Sequence, residues 1–449
     1  MSAAASVQRQ MRAAYRLQHN RRYPEARRAW DRILGNHHLH PRSDLYKRAQ
    51  LLSASCDQAR GENALAVPVL LQLIEEFPAW PEPWEVLANA YKVMEQWEDA
   101  ARAYRRVMAF APNRITPLIQ LAAVRAGQGD LPEAHSLYLQ AATMDPPSTP
   151  GEQFNRGVAR LLLGLYGDGF ADYEAREEAE IVRCEHSKAP TWDGKETPGV
   201  VCLLQEQGYG DTIQMLRFLP RVVAKTGGVI LCVPKPLVPL CDNQYAGVRV
   251  VTELAEDYNG QDEHHFRLLP MSLPHVVGND GGLDARPYLT SRGLDLLPPK
   301  VERIRAAVIW RGNPHQGDDR TRSIPLTELV PLFAIPGVEW VSCQVDPTEE
   351  EKRLLFAHGV RDVSPLLADF ARTASVFQSS DLVVSVCTSA IHLAGALGRP
   401  GYLLKSATPE WRWGLVGHRT QWYESVRILR QARVHEWAPV VSTLSGILQ

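Results

Sequence analysis

Residues 81–114 read PEPWEVLANAYKVMEQWEDAARAYRRVMAFAPNR. Trp84, Leu87, Ala88 and Tyr91 share one face at helical spacing, Ala100 and Tyr104 begin a second such face, and Pro112 stops it. Two short helices joined by a turn are the expectation. Small residues let paired helices approach closely, large ones fill the space between hairpins, and proline ends the second helix. Residues 115–148 repeat the pattern at matching offsets with Leu121, Ala122, Ala134, Tyr138, Ala141 and Pro146. Weaker copies follow the same logic at 47–80 (Ala54, Ala66, Leu70, Pro78) and near 7–40 (Ala14, Ala26).

This period and residue pattern resembles the tetratricopeptide repeat. Three to five such hairpins are expected to stack into a right-handed superhelix whose concave groove holds peptide segments or partner proteins. Each Tyr or Trp in the array is expected in its core. Residues 150–182 keep a helical period but lose the repeat spacing, which reads as a capping hairpin. Pro190, Gly194 and Pro198 mark 183–198 as a linker.

The chain of 449 residues has room for two or three domains, and 45% hydrophobic and 22% charged residues suit a globular protein. A net charge of −2 argues against bulk binding to nucleic acid. Residues 1–60 nevertheless hold twelve Lys and Arg against four Asp and Glu, which reads either as a solvated helix face or as a dock for an acidic partner. No apolar run is long enough to span a bilayer, and MSAAASVQRQMRAAYR lacks the apolar core of a signal peptide. The seven cysteines include no CxxC pair, so the expected compartment is a reducing cytoplasm.

From residue 199 short β-branched runs alternate with helical stretches: 200–204, 228–234, 248–254, 306–310, 338–343, 381–386, 401–404 and 425–430. Alternation of this kind implies parallel sheets of Rossmann type. A proline-containing break at 293–300 divides the runs, so two lobes are expected, 199–296 and 297–449, with a cleft at the carboxyl ends of their strands. The last segment, VHEWAPVVSTLSGIL, reads as an amphipathic helix crossing back onto the first lobe. The expected fold is α + α/β: a helical solenoid over 1–182 followed by a two-lobed module.

Three loops of the module carry chemistry. In QEQGYGDTIQMLRFLP, 205–220, Gly208 and Gly210 permit a tight turn and Asp211 stands where a helix begins. Asp211 reads as a helix cap or as a catalytic carboxylate. In 309–325 a strand runs into a Gly/Asn/Pro turn and then Arg320 and Arg322, whose planar forks suit phosphate, although a plain surface loop fits equally. In 380–400 a buried strand ends at Val386 and Thr388 and Ser389 start a helix whose free N–H groups favour an anion. His392 lies one turn in, facing core or ligand.

Taken together the loops resemble the heptosyltransferase-like branch of GT-B glycosyltransferases, in particular bacterial proteins that fuse tetratricopeptide repeats to such a module. The matching residues are Gly208-Tyr209-Gly210-Asp211, Arg322-Ser323-Ile324-Pro325, the run from His392 to Gly398 followed by Pro400, and Glu410-Trp411-Arg412-Trp413. They span about residues 200–430. The resemblance implies an inverting transfer from a nucleotide sugar to a protein acceptor recruited by the repeats, with flagellin-like surface proteins as one acceptor class. It implies Asp211 as base and donor contacts from Gly208, Gly210, Asn313, Arg320, Arg322, Gln344, Cys387, Thr388, Ser389 and His392. Cys387 departs from it: heptosyltransferases usually carry there an aspartate that contacts the donor sugar, which puts heptose, and activity itself, in question. No Asp-x-Asp occurs, so no carboxylate-held metal of GT-A type is expected, and no cofactor beyond the donor. The histidines at 37–40 and 264–265 lack partners at ligand spacing and are expected on the surface. One rival is a non-catalytic adaptor with a degenerate module. Another, a lipid- or saccharide-modifying transferase, lacks an evident membrane-binding helix.

Overall fold

The computed structural model describes residues 3–36, 40, 43–182, 189–242, 244–254, 265–278, 284–300, 302–314, 316–317 and 319–449. His37, His38 and His264 lie outside the described residues. The chain divides into two compact units, Met1–Ser148 and Thr149–Gln449.

The first unit is a tetratricopeptide-type array. Its hairpins are α1 (Ala3–His19) with α2 (Tyr23–Leu34), α3 (Asp44–Ala59) with α4 (Asn63–Glu76), α5 (Pro81–Val93) with α6 (Trp97–Phe110), and α7 (Thr116–Gly127) with α8 (Leu131–Thr143). The small residues read from the sequence sit where helices touch: Ala14, Ala26, Ala66, Ala88, Ala100, Ala122, Ala134 and Ala141 have no exposed surface. Side chains of successive hairpins interleave, as where Leu87 of α5 joins the cluster of Leu51, Leu70 and Leu73. Each hairpin turns in the same way. Arg21, Gly61, Glu95 and Gly129 adopt positive φ (57°, 80°, 59° and 86°). The next N–H bonds back to the carbonyl five residues earlier, as from Arg22 to Leu17 and from Gln96 to Tyr91, both 2.9 Å. That is the Schellman closure, for which glycine is the natural residue. The basic N-terminal segment lies partly on the surface: Arg9, Arg12 and Arg16 of α1 are exposed, while Arg27 pairs with Asp31 and Asp57.

A fifth hairpin, α9 (Pro150–Leu162) with α10 (Tyr166–Tyr173), has the same turn at Gly164, φ 81°. It opens the second unit instead of closing the first, so the division falls at 148/149 and not at the expected 182. The reason is what its second helix buries. Phe170 meets Trp411 and Trp422 edge-on with centroids 5.6 and 6.3 Å away, and Tyr166 meets Trp422 at 5.7 Å. Just beyond, Arg176, 1% exposed, donates Nε to Glu206 Oε2 at 2.9 Å and Nη2 to Ser272 Oγ at 2.8 Å. Residues 189–198, expected as linker, are also built in: Thr191 bridges Arg267 and Trp192 is buried.

The rest of the second unit is two parallel sheets. The first holds β1 (Val200–Leu203), β2 (Gly228–Cys232), β3 (Val248–Val251) and β4 (His265–Leu268) in the order β3-β2-β1-β4. The second holds β5 (Ile304–Ile309), β6 (Val338–Ser342), β7 (Arg361–Asp362), β8 (Leu382–Val386), β9 (Gly401–Lys405) and β10 (Val426–Arg430) in the order β10-β9-β8-β5-β6-β7. β8, all five residues buried, is a continuous apolar run broken by one serine, as expected of a strand covered on both faces. The C-terminal helix, Ala438–Leu448, does not cross to the first sheet. Val440, Val441 and Leu444 pack with Leu326, Leu329 and Leu332 in the core of the second, the nearest apolar surface able to bury that face.

Candidate functional site

The carboxyl ends of β1, β8 and β9 open on one cavity of about 510 Å³. Parallel sheets usually bind ligands at this edge, where strands end and helices begin. After β1 the chain passes Gln205 and Gln207, turns at Gly208, and enters α11 (Tyr209–Met215). After β8 it passes Cys387, and Thr388 caps the helix Ser389–Ala396 by accepting the N–H of Ala390 at 3.3 Å.

Most of the expected residues meet here: Gly208, Gly210, Asp211, Asn313, Arg322, Cys387, Thr388, Ser389 and His392 all line the cavity. Arg320 and Gln344 do not. Arg320 is exposed on the short helix Asp319–Arg322. Gln344, 4% exposed, is spent on the fold: its Oε1 accepts the N–H of Arg311 at 3.1 Å and its Nε2 donates to Asp346 at 2.9 Å.

Asp211 has both carboxylate oxygens engaged. Oδ2 accepts the N–H of Gly208 at 2.9 Å, the reciprocal bond of a helix N-terminus, and Oδ1 accepts from Nη2 of Arg412. Arg412, part of the resemblance but not among the expected site residues, also lines the cavity. It donates Nε to Gln214 at 3.0 Å, pairs with Glu410, and lies 4.2 Å over the ring of Trp411. Burial opposes its charge, yet Asp211 and Glu410 outweigh burial and push its pKa up. Its signal in the sequence is the Glu410-Trp411-Arg412-Trp413 run just past a strand, which belongs to the resemblance.

Arg322 is anchored by Nε to Asp319 Oδ1 at 3.0 Å and by Nη1 to the carbonyl of Cys387 at 3.1 Å. Gly312 makes that anchor possible, because a Cβ there would lie 2.4 Å from Nη2. The Cys387 thiol accepts the indole N–H of Trp413 at 3.0 Å, and burial, reinforced by Glu410, pushes its pKa up. His392 is 4% exposed, with Nδ1 2.9 Å from the Tyr423 hydroxyl. Burial and then the charges of Arg412 and Arg217 hold its pKa well below 6.5, so the imidazole is neutral. Gly210 sits against it: a Cβ would stand 2.9 Å from Cδ2 of His392.

The fifth hairpin braces the loop after β1. Gln207 donates to the Tyr173 hydroxyl at 2.9 Å, and the neighbouring Glu206, buried against Arg176, also accepts the N–H of Met271. Chemically the site offers a carboxylate, helix-start N–H groups, an arginine and a neutral imidazole within one pocket. Among the described residues no group of His, Cys, Asp and Glu is arranged to hold a metal ion. No helix among them is long and apolar enough to cross a membrane.

The second unit thus holds two parallel sheets with a cavity at their strand ends, and the first is a tetratricopeptide-type array. No family model matches the chain. Protein FlbA of Caulobacter vibrioides is 25% identical over 344 residues, 69% of this chain. The match spans 57% of that protein's own length. A thermophilic TPR protein of Thermus thermophilus is similar to 39% of this chain over 92% of its own, with TM-score 0.32 and 20% identity. MamA of Desulfovibrio magneticus is similar to 30% of this chain over 72% of its own, with TM-score 0.27 and 20% identity.

Proposed function

We propose that the second unit is a GT-B glycosyltransferase of the heptosyltransferase-like type, its two parallel sheets forming Rossmann-like lobes. It transfers a sugar, with inversion and without a metal, from a nucleotide sugar to a protein recruited by the helical repeats. The observation that carries this reading is the convergence of three separate loops, the glycine turn at 208–211, Arg322 and the 387–392 segment, on one cavity at the strand ends. In the proposed step the acceptor hydroxyl oxygen attacks the anomeric carbon and the bond from that carbon to the phosphate oxygen breaks. The acceptor proton passes to Asp211, and the nucleoside diphosphate leaves with the bonding pair. Arg322 and the N–H groups at the start of Ser389–Ala396 are suited to the negative charge that develops there. The absence of a side-chain carboxylate at Cys387 argues for a sugar other than heptose.

A thermal-shift screen of the full chain with nucleoside diphosphates and CMP tests the donor site. A ligand at 100 times its Kd adds ~2.7 kcal/mol of stability. Positive hits then enter a turnover assay with the matching nucleotide sugars. No stabilisation by any nucleotide, together with no hydrolysis or transfer, refutes the proposal.

One observation favours the adaptor reading instead. Both oxygens of Asp211 are occupied, by Gly208 and by Arg412, which is what a purely structural helix start requires. Nucleotide binding without turnover of any nucleotide sugar selects the adaptor.

A further inference from the structure

Arg217 is a half-buried cation that hydrogen-bonds no carboxylate among the described residues. Its Nη1 donates to the carbonyls of Asp284 at 3.0 Å and Trp422 at 2.8 Å, and Nε donates to the carbonyl of Gln214 at 2.9 Å. Three rings surround the guanidinium carbon: Tyr288 at 4.7 Å, Tyr423 at 4.9 Å and Trp422 at 5.1 Å. Such a cage stabilises a cation through the ring faces. It also fixes the hydroxyls beside it. The Tyr288 hydroxyl accepts from Nη2 of Arg217 at 3.4 Å and gives its own hydrogen to the carbonyl of Ile213 at 2.8 Å. Tyr423 holds its ring against the same guanidinium, and its hydroxyl lies 2.9 Å from Nδ1 of His392.

A hydroxyl beside a cation turns its hydrogen away from that charge. For Tyr423 the acceptor away from the Arg217 and Tyr288 pair is Nδ1 of His392, at 2.9 Å. A neutral imidazole that accepts at Nδ1 carries its hydrogen on Nε2. Gly210 leaves that edge of the ring open, since a Cβ there would lie 2.9 Å from Cδ2 and 3.5 Å from Nε2. We infer that Tyr423, oriented by Arg217, is a positioning residue that fixes His392 as the Nε2–H tautomer and so gives the cavity an uncharged hydrogen-bond donor for a phosphate oxygen. The ligand class rests on the nucleotide-sugar reading proposed above; the tautomer does not.

The test uses the full chain with ¹⁵N-labelled histidine. Long-range ¹H–¹⁵N correlation identifies which ring nitrogen of His392 carries hydrogen, the signal being assigned by through-bond connection to its backbone. The expected result is a single Nε2–H pattern in the wild type and a mixed or reversed pattern in Tyr423→Phe, which keeps the ring of the cage and removes only the hydroxyl. Inorganic pyrophosphate is the binding probe. Tyr423→Phe and His392→Leu should weaken it about 2- to 10-fold, the worth of one hydrogen bond, while His392→Gln, which retains an amide donor, should recover part of the loss. An Nδ1–H pattern in the wild type overturns the inference without any variant. So does pyrophosphate affinity unchanged in His392→Leu. If pyrophosphate binds with this dependence but no nucleotide sugar is turned over, the transferase reading fails and the positioning role stands. If nucleotide sugar is turned over with His392 in the other tautomer, only the positioning role fails.

Discussion

Deleting residues 1–148 should leave a folded second unit, whereas extending the deletion to residue 182 should not. The longer deletion removes Arg176 and leaves Glu206, whose side chain is 2% exposed, buried beside Met271 without its cation. A buried charge stripped of its partner costs roughly 3–5 kcal/mol. Phe170 and Tyr173, 1% and 4% exposed, go as well, uncovering the faces of Trp411 and Trp422. Each lost aromatic burial is worth roughly 1.5–3 kcal/mol. Together the loss is roughly 6–11 kcal/mol, comparable with the roughly 5–15 kcal/mol that holds a typical domain folded. Urea unfolding followed by tryptophan fluorescence and far-UV circular dichroism measures both truncations. The shorter should give a cooperative transition, the longer an aggregating or non-cooperative chain. Equal midpoints for the two would show that the fifth hairpin is a cap on the repeats and that its contacts to the α/β sheets contribute nothing. Arg176→Ala in the full chain checks the largest single contribution, with an expected loss of about 3–5 kcal/mol.

Three further outcomes are expected. Asp211→Asn keeps an oxygen for the N–H of Gly208 but loses the charge that meets Arg412. As the base, it should cut turnover ~10²–10⁴-fold with nucleotide affinity retained, and turnover within a few-fold of wild type removes the assignment. Arg21 sits at φ 57° in the first hairpin turn, so Arg21→Gly should raise stability by roughly 0.5–1 kcal/mol in thermal unfolding, and a loss would contradict the strain argument. His392, faced by Arg412, Arg217 and the Tyr423 hydroxyl, has a folded pKa below its unfolded value. The unfolded chain therefore binds the extra proton between those two values, and stability falls as pH drops below about 6.5, by at most ~1.4 kcal/mol per pH unit from this group. His392→Gln should flatten that part of the stability curve; an unchanged slope would place the titration elsewhere.

What could be read in advance followed from how locally each feature is specified. The repeat array was legible because Ala88, Ala100 and Tyr104 have fixed offsets within one hairpin, and each hairpin needs only its neighbours. The central strands were legible because burial on both faces makes them apolar throughout, as in β8. The expected strands omitted β4 and β7, which lie at sheet edges, where His265–Leu268 mixes polar with apolar residues and Arg361–Asp362 has no apolar residue at all. The glycine turn and the helix start at Thr388 announced themselves because backbone geometry writes its own residues into the sequence. The roles of Arg412 and Tyr423 did not, since each depends on contacts far away along the chain: Arg412 meets Asp211 across 201 positions, and Arg217 reaches Trp422, beside Tyr423, across 205. Both long-range links join the first sheet's segment to the loop after β9. That loop therefore sets two features of the cavity at once, the orientation of Asp211 through Arg412 and the tautomer of His392 through Tyr423. A change that shifts it should alter both together, while a change confined to α11 should disturb Asp211 and leave the His392–Tyr423 bond in place.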